Sequence, residues 1–260
     1  MTRRETLLGC EGLTVRFGGL TALNNLSLEV GEGEVLGLIG PNGSGKTTFF
    51  NALTGIYRLA SGRLRFAQRD LTGARPQAVY QAGIARTFQR SRLCLDLSVF
   101  DNLMVGNHRN LSLGLGFNLL RRRAFRAELD RCLERARSLL GAFHASLPGR
   151  VFQPAGALGM IDRRRVEVCR ALMSEPRLLL LDEPSAGMTH DETRELMDDI
   201  LATKARSASL AVILIEHEMG VIERVTDRCV VLNFGQKISE GPYAVLAADP
   251  RVQEAYLGTD

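Results

Sequence analysis

Eight consecutive residues, Gly40-Pro41-Asn42-Gly43-Ser44-Gly45-Lys46-Thr47, carry the densest chemical information in the chain. Glycines at 40, 43 and 45 let successive main-chain N–H groups curl toward one point, which is the environment that phosphate oxygens fill. Lys46 follows with an ammonium that can reach the outer phosphates of a nucleotide, and the Thr47 hydroxyl is a hard oxygen donor suited to Mg²⁺. The pattern is GxxxxGK[ST]. Its context separates it from a chance glycine-rich turn: Val35 to Ile39, VLGLI, is a compact apolar strand just before the loop. After the loop, TTFFNALTGI has helical spacing through Phe49, Leu53 and Ile56, so a helix N-terminus adds positive partial charge where phosphates would sit.

A phosphate loop needs acids across from it, and Leu178-Leu179-Leu180-Leu181-Asp182-Glu183 supplies two at the end of an apolar run. Asp182 is placed to hold Mg²⁺ through water, and Glu183 to orient and deprotonate the water that attacks a γ-phosphate. An apolar run ending in Asp-Glu is by itself an ordinary strand ending in a polar turn. Paired with the loop, it reads as the second half of a nucleotide-hydrolysing site.

Elements that could hold such a site are legible around it. The first thirty residues read as a meander of short strands, with LLGCEGLTVRF and ALNNLSLEV alternating in part and Gly18-Gly19 and GEGE as turns. Strands resume at RLLLLDE and LAVILIEH, nearly continuous apolar runs of the kind a parallel sheet covered on both faces requires. Between them, Ala124 to Phe143 puts Phe125, Leu129, Leu133, Ala136 and Leu140 on one helical stripe. The expected fold class is α/β.

Composition sets the outer bounds. The chain has 260 residues, 45% hydrophobic and 24% charged, which suits a folded domain with a substantial core. No apolar stretch approaches the roughly 20 residues needed to span a bilayer, and no secretory leader follows the basic N-terminus. Five widely spaced cysteines, Cys10, Cys94, Cys132, Cys169 and Cys229, read as reduced packing residues and not as a disulfide frame or zinc site. The net charge of +4 comes from 33 basic residues interleaved with 29 acids, so it does not single out nucleic acid as a partner.

At this point the residues resemble the ATP-binding cassette family, the motor subunits of ABC transporters, over essentially the whole chain. Gln89 in ARTFQ resembles the glutamine that ligates Mg²⁺ and faces the membrane subunit. His217 in LIEHEM resembles the histidine that contacts the γ-phosphate, and Phe17 in VRFGG the aromatic that stacks on adenine. The resemblance also extends the nucleotide-binding set to Thr48, beside Gly40, Asn42, Gly43, Ser44, Gly45, Lys46 and Thr47. It implies a P-loop NTPase core with a mostly parallel sheet, an N-terminal antiparallel β subdomain and an α-helical subdomain. Residues 1–92 and 173–240 would form the core, 93–172 the helical part and 241–260 a tail.

Four stretches, FGGLTALNNLSLEV, ARTFQ with SVFDNLMVGNHR, DEPSAGM, and ISEGPYAVLAADPRVQEAYLG, are most similar to the ATPases of branched-chain amino-acid importers. That implies ATP and Mg²⁺ as cofactors and a location on the cytoplasmic face of the inner membrane. It also implies a second ATPase subunit, two transmembrane permease subunits and, indirectly, a periplasmic solute-binding protein. Importers of urea, amides and carboxylic acids use similar ATPases, and a soluble or purely regulatory member of the family is a further alternative; nucleic acid is not an expected partner.

One loop departs from the family. The signature, LSGGQ or a variant such as LSYGQ, falls on Leu158-Gly159-Met160-Ile161-Asp162, where only the leucine remains. Ile161 places a β-branched side chain where the family's glycine allows close approach, and Asp162 puts a carboxylate at an electropositive helix end. Asp162 reads as the N-cap of a helix from Arg163 to Met173 whose apolar face is Val166, Cys169, Leu172 and Met173. Arginines 163 to 165 then form a solvated first turn or a partial electrostatic compensation for the aspartate; the alternative is an atypical loop that still assists, with an arginine as the phosphate contact. The expectation is an asymmetric pair, in which this chain's phosphate loop, Glu183 and His217 work with an intact signature from a different partner ATPase.

Overall fold

The computed structural model describes residues 5–89, 91–111 and 122–257, so the basic residues at positions 3 and 4 lie outside the described set. The chain forms two compact units. The first holds 1–86, 177–183 and 207–260, and the second 87–176 and 184–206.

The first unit contains two sheets. Strands β1 (Thr6–Phe17) and β2 (Leu20–Gly31) form a hairpin; with β4 (Ser61–Phe66) and β5 (Arg69–Asp70) they make a four-stranded antiparallel sheet in the order β2-β1-β4-β5. Partial alternation in β2 buries Leu23, Leu26, Leu28 and Val30 and leaves intervening residues such as Asn25 and Ser27 exposed.

The second sheet has six strands. Its members are β3 (Val35–Ile39), β6 (Ile84–Arg86), β7 (Leu178–Asp182), β8 (Ala211–Ile215), β9 (Arg228–Asn233) and β10 (Gln236–Gly241), in the order β10-β9-β3-β8-β7-β6. All neighbours run parallel except β10, which is antiparallel to β9. Every residue of β3, β7 and β8 is buried, which is why these strands read as unbroken apolar runs and not as alternating ones. Helix α1 (Lys46–Leu53) follows β3 and seats Phe49 and Phe50 in the core with no exposed surface. Each such burial contributes about 1.5–3 kcal/mol. Short helices α2 (Pro76–Ala82), α7 (Met219–Val225), α8 (Tyr243–Ala247) and α9 (Pro250–Leu257) complete the unit.

The second unit is helical. Helix α3 (Val99–Val105) starts at Ser98, whose hydroxyl accepts from the Asp101 N–H at 3.0 Å. Helices α4 (Arg122–Phe143), α5 (Met160–Leu172) and α6 (His190–Ala205) pack on one another. Helix α6 begins with a full capping box, Thr189 and Glu192 each bonding the other's main chain.

Several sequence expectations are corrected here. Helix α1 stops at Leu53, and Ile56 lies beyond it, exposed. In α4 the buried face is Cys132, Ala136, Leu140 and Phe143, while Phe125 and Leu129 are exposed, because the first two turns of this helix face solvent. Residues 184–206 group with the helices and not with the strand core, since α6 packs against α4 and α5. Four cysteines are buried as packing residues, but Cys94 is exposed.

Helix α5 starts at Met160 with Gly159 as its N-cap, so Asp162 is not the cap but the third helical residue. The reason is electrostatic. Asp162 is turned to Arg150 (Oδ2 to Nη1, 3.1 Å) and Arg165 (Oδ1 to Nη1, 3.1 Å). Of the two readings of the arginines, compensation of the aspartate holds and the solvated turn does not: Arg165 is only 2% exposed and is held by Asp162, Asp199 and Glu195. Val166, Cys169, Leu172 and Met173 are buried, with Met173 just past the helix as its C-cap.

Candidate functional site

The phosphate loop joins β3 to α1, and its backbone is one that side chains would obstruct. Gly40, Gly43 and Gly45 all have positive φ, at 145°, 79° and 107°. A Cβ on Gly40 would collide with the Leu232 carbonyl oxygen, and one on Gly45 would lie 2.9 Å from the Ala22 carbonyl oxygen. These close approaches hold the loop between β9 and β2, where the Gly235 N–H donates to the Ser44 carbonyl at 2.9 Å. Lys46 is buried at the base of the loop, its Nζ donating to the carbonyls of Gly40 at 2.6 Å and Pro41 at 2.9 Å. Burial pushes its pKa below the ordinary lysine value, while Glu183 and Asp182 act in the opposite direction.

Asp182 ends β7 and is buried. Burial raises its carboxyl pKa, and the guanidinium of Arg86, with Nη2 2.6 Å from Oδ2, opposes that rise. Glu183 follows in the left-handed region at φ 48°, its N–H donating to the Ile215 carbonyl at 2.9 Å. A non-glycine residue in that region is strained by about 1–2 kcal/mol, and here the turn aims the Glu183 carboxylate at His217. His217, just after β8, places Nε2 2.7 Å from Glu183 Oε1.

A cleft of about 390 Å³ opens onto this arrangement, lined by the loop from Asn42 to Thr48, by Glu183, and at its mouth by Phe17 and Phe234. The Phe17 ring is 44% exposed and meets Tyr57 edge-on, centroids 4.9 Å apart at 80°. One face of an aromatic held in this way is available for stacking. The cleft therefore brings together Phe17, the loop residues including Ser44, Thr47 and Thr48, and Glu183, with Asp182 and His217 attached to them. The donors fit a hard divalent cation: Thr47 and Asp182 offer oxygen only, and the loop supplies a cradle for phosphate oxygens that would complete the shell.

Gln89 and the signature residues belong to the second unit. Gln89 is exposed, and its carbonyl accepts from Arg164 Nη2 at 3.1 Å. Leu158 is buried, Gly159 and Met160 are exposed at the start of α5, and Ile161 and Asp162 are half-buried. The arginines that follow are engaged within the unit: Arg163 with the Gly156 carbonyl at 2.6 Å, Arg164 with Glu167 at 2.9 Å, and Arg165 with the three acids named above.

Sequence reasoning missed Arg86, Asn51 and Phe234. The first two were concealed because their partners are distant in sequence, although Arg86 stands inside ARTFQ and closes the short strand that leads into Gln89. Phe234 lies in an Asn-Phe-Gly turn that reads as nothing more than the tip of a hairpin.

Residues 23–186 match the family model of the ABC transporter. The chain belongs to that family. Residues 236–260 also match the model described as branched-chain amino acid ATP-binding cassette transporter. The high-affinity branched-chain amino acid transport ATP-binding protein LivG of Salmonella typhimurium is 40% identical, over 98% of this chain and 98% of that protein. BraF of Pseudomonas aeruginosa, named in the same way, is 38% identical over 97% and 98%. Among solved structures, a nucleotide-free ATP-binding cassette from an ABC transporter superposes with a TM-score of 0.83, at 31% identity, covering 98% of this chain and 100% of that one. This ABC cassette is thus an ATP-binding ATPase of the importer class, a class whose ATPase subunits work with permease subunits. Among the described residues no helix is long and apolar enough to cross a membrane.

Proposed function

We propose that this ATPase lies on the cytoplasmic face of the inner membrane and powers import of branched-chain or closely related amino acids, with Glu183 as its general base. The observation that carries the catalytic part is the 2.7 Å contact between Glu183 Oε1 and His217 Nε2 beside the phosphate cleft. The substrate class is supported by the full-length similarity to LivG and BraF and by the match over the C-terminal tail.

In this reading the loop amides from Gly43 to Thr47 and the Lys46 ammonium bind the phosphates, and Phe17 stacks on the adenine. Thr47 and Asp182 would hold Mg²⁺, which would neutralise charge on the phosphate oxygens. Glu183 orients the attacking water and accepts its proton, and His217 fixes the Glu183 carboxylate and reaches toward the γ-phosphate. The phosphate is stabilised by donors already in place, so little reorganisation accompanies the reaction.

The second cassette of the pair is a different chain. Ile161 and the arginine-bound Asp162 offer neither the hydroxyl nor the close main-chain approach of a serine-glycine signature. Productive hydrolysis would occur on this chain's phosphate loop against the partner's signature. The complex also includes two permease subunits and a periplasmic solute-binding protein. Reconstitution into vesicles with that binding protein tests the reading: leucine, isoleucine or valine should stimulate ATP hydrolysis. Stimulation by urea, amides or carboxylic acids instead would overturn the substrate assignment.

A further inference from the structure

Arg86 closes β6 with its guanidinium set among three side chains of the same unit. Nη2 donates to Asp182 Oδ2 at 2.6 Å, Nη1 donates to Asn51 Oδ1 at 2.6 Å, and the guanidinium carbon lies 5.2 Å from the centroid of the Phe50 ring. The side chains of the Arg86–Asp182 pair are 5% and 3% exposed. Asn51 and Phe50 belong to α1, the helix that begins at Lys46 and carries Thr47 in its first turn.

We infer that Arg86 is a positioning residue for the metal carboxylate: it ties Asp182 to the helix that carries Thr47 and so fixes where the two oxygen donors stand relative to each other. The inference rests on the proposed role of Asp182 toward Mg²⁺. A buried carboxylate needs a cation, but a point charge would have sufficed for that alone. Lys46 stands nearby, and its Nζ is bonded to the carbonyls of Gly40 and Pro41. The planar fork of an arginine does something further, because its two terminal nitrogens reach two acceptors in a fixed relation. Holding Oδ2 limits rotation of the carboxylate, so its orientation toward a bound metal would be fixed. Groups that orient a metal's ligands in this way typically change metal affinity by about 10–100-fold when removed.

The test is the Mg²⁺ dependence of binding of a fluorescent ADP analogue to the full chain at fixed pH, with EDTA as the metal-free reference. Arg86→Met should raise the Mg²⁺ concentration for half-saturation about 10-fold and leave metal-free nucleotide affinity unchanged. Arg86→Lys keeps a cation and one of the two bonds, should lie between, and decides the matter if Arg86→Met does not fold. An unchanged Mg²⁺ dependence in the folded variants, or a parallel loss of metal-free affinity, overturns the inference. Asp182→Asn distinguishes the two levels. If it also leaves the Mg²⁺ dependence unchanged, the assignment of Asp182 fails; if it removes that dependence while the Arg86 variants do not, only the role of Arg86 fails.

Discussion

Glu183 and His217 meet at 2.7 Å, Oε1 to Nε2, although 34 residues separate them and they leave different strands of the sheet. The contact exists because β7 and β8 are parallel neighbours in register from Leu178–Ala211 to Asp182–Ile215, so their C-terminal ends deliver the next residues side by side. Ligand-facing chemistry at the carboxyl ends of parallel strands is a general property of such sheets. In the proposed mechanism Glu183→Gln keeps the shape and the nucleotide site but removes the base. Turnover in the assembled complex should fall about 10²–10⁴-fold, with ATP binding retained. Steady-state phosphate release together with filter binding of ATP checks both parts, and turnover within tenfold of wild type would remove Glu183 from its role.

The phosphate loop predicts a contrast between two glycines. At Gly40 an added Cβ collides with the Leu232 carbonyl oxygen at φ 145°, whereas at Gly43, with φ 79°, nothing lies within 4 Å of it. Gly40→Ala should cost about 3 kcal/mol or more, from strain and overpacking together. Gly43→Ala should cost about 1 kcal/mol, from backbone strain alone. Urea denaturation of the two variants measures the difference, and equal losses would show that the loop is not clamped at Gly40.

Arg165 organises the second unit by bonding Asp162, Asp199 and Glu195 from two helices. Arg165→Met preserves most of the packing but takes the cation from Asp199 and Glu195, while Asp162 keeps Arg150. Burial raises the Asp199 pKa, and Arg165 is the main group that opposes the rise. The expected loss is about 2–3 kcal/mol, less than for a fully enclosed pair because Glu195 is half exposed. Chemical denaturation would register it, and a neutral substitution would mean that the cluster is decorative.

The C-terminal helix α9 gives a pH dependence. Asp249 precedes it and accepts from the Arg251 N–H at 3.0 Å, from Arg251 Nη2 at 2.8 Å and from the Ser239 hydroxyl at 2.8 Å. The Arg251 side chain first, then Ser239, hold its carboxyl well below the usual aspartate range. A depressed folded-state pKa contributes stability that is present above the unfolded value, about 3.9, and is lost as pH falls toward the folded value. Amide protection of Val252 to Tyr256, corrected for intrinsic exchange rates, should therefore decline below about pH 4. Asp249→Asn should remove the decline; persistence of the decline in that variant would assign it to another group.

Features that rest on local pattern were legible from the sequence. The phosphate loop, β3, β7 and β8 were visible because a glycine-rich turn between a buried strand and a helix, or an unbroken apolar run, leaves a local signature. Asp162 was misplaced as a cap because its determining partners, Arg150 and Arg165, compete with the main-chain N–H groups that a cap would serve. Three consecutive arginines look solvated on a helical wheel. Arg165 is buried only because Glu195 and Asp199 arrive from α6, 30 and 34 residues later. The stripe of α4 holds in the later turns, where Ala136 and Leu140 are buried, and fails in the first ones, where Phe125 and Leu129 are apolar but exposed, because periodicity gives the helix and its face but not how far along it the packing partners reach.

The claim of an unequal pair follows from the contrast between an intact phosphate site and a signature loop carrying Ile161 and an arginine-bound Asp162. ATP hydrolysis by the purified chain alone, compared with the chain mixed with its partner cassette, tests it most directly. Low turnover alone, rising on mixing and lost again in Glu183→Gln, is the predicted result. Vigorous turnover by this chain alone, abolished by Glu183→Gln, would contradict it.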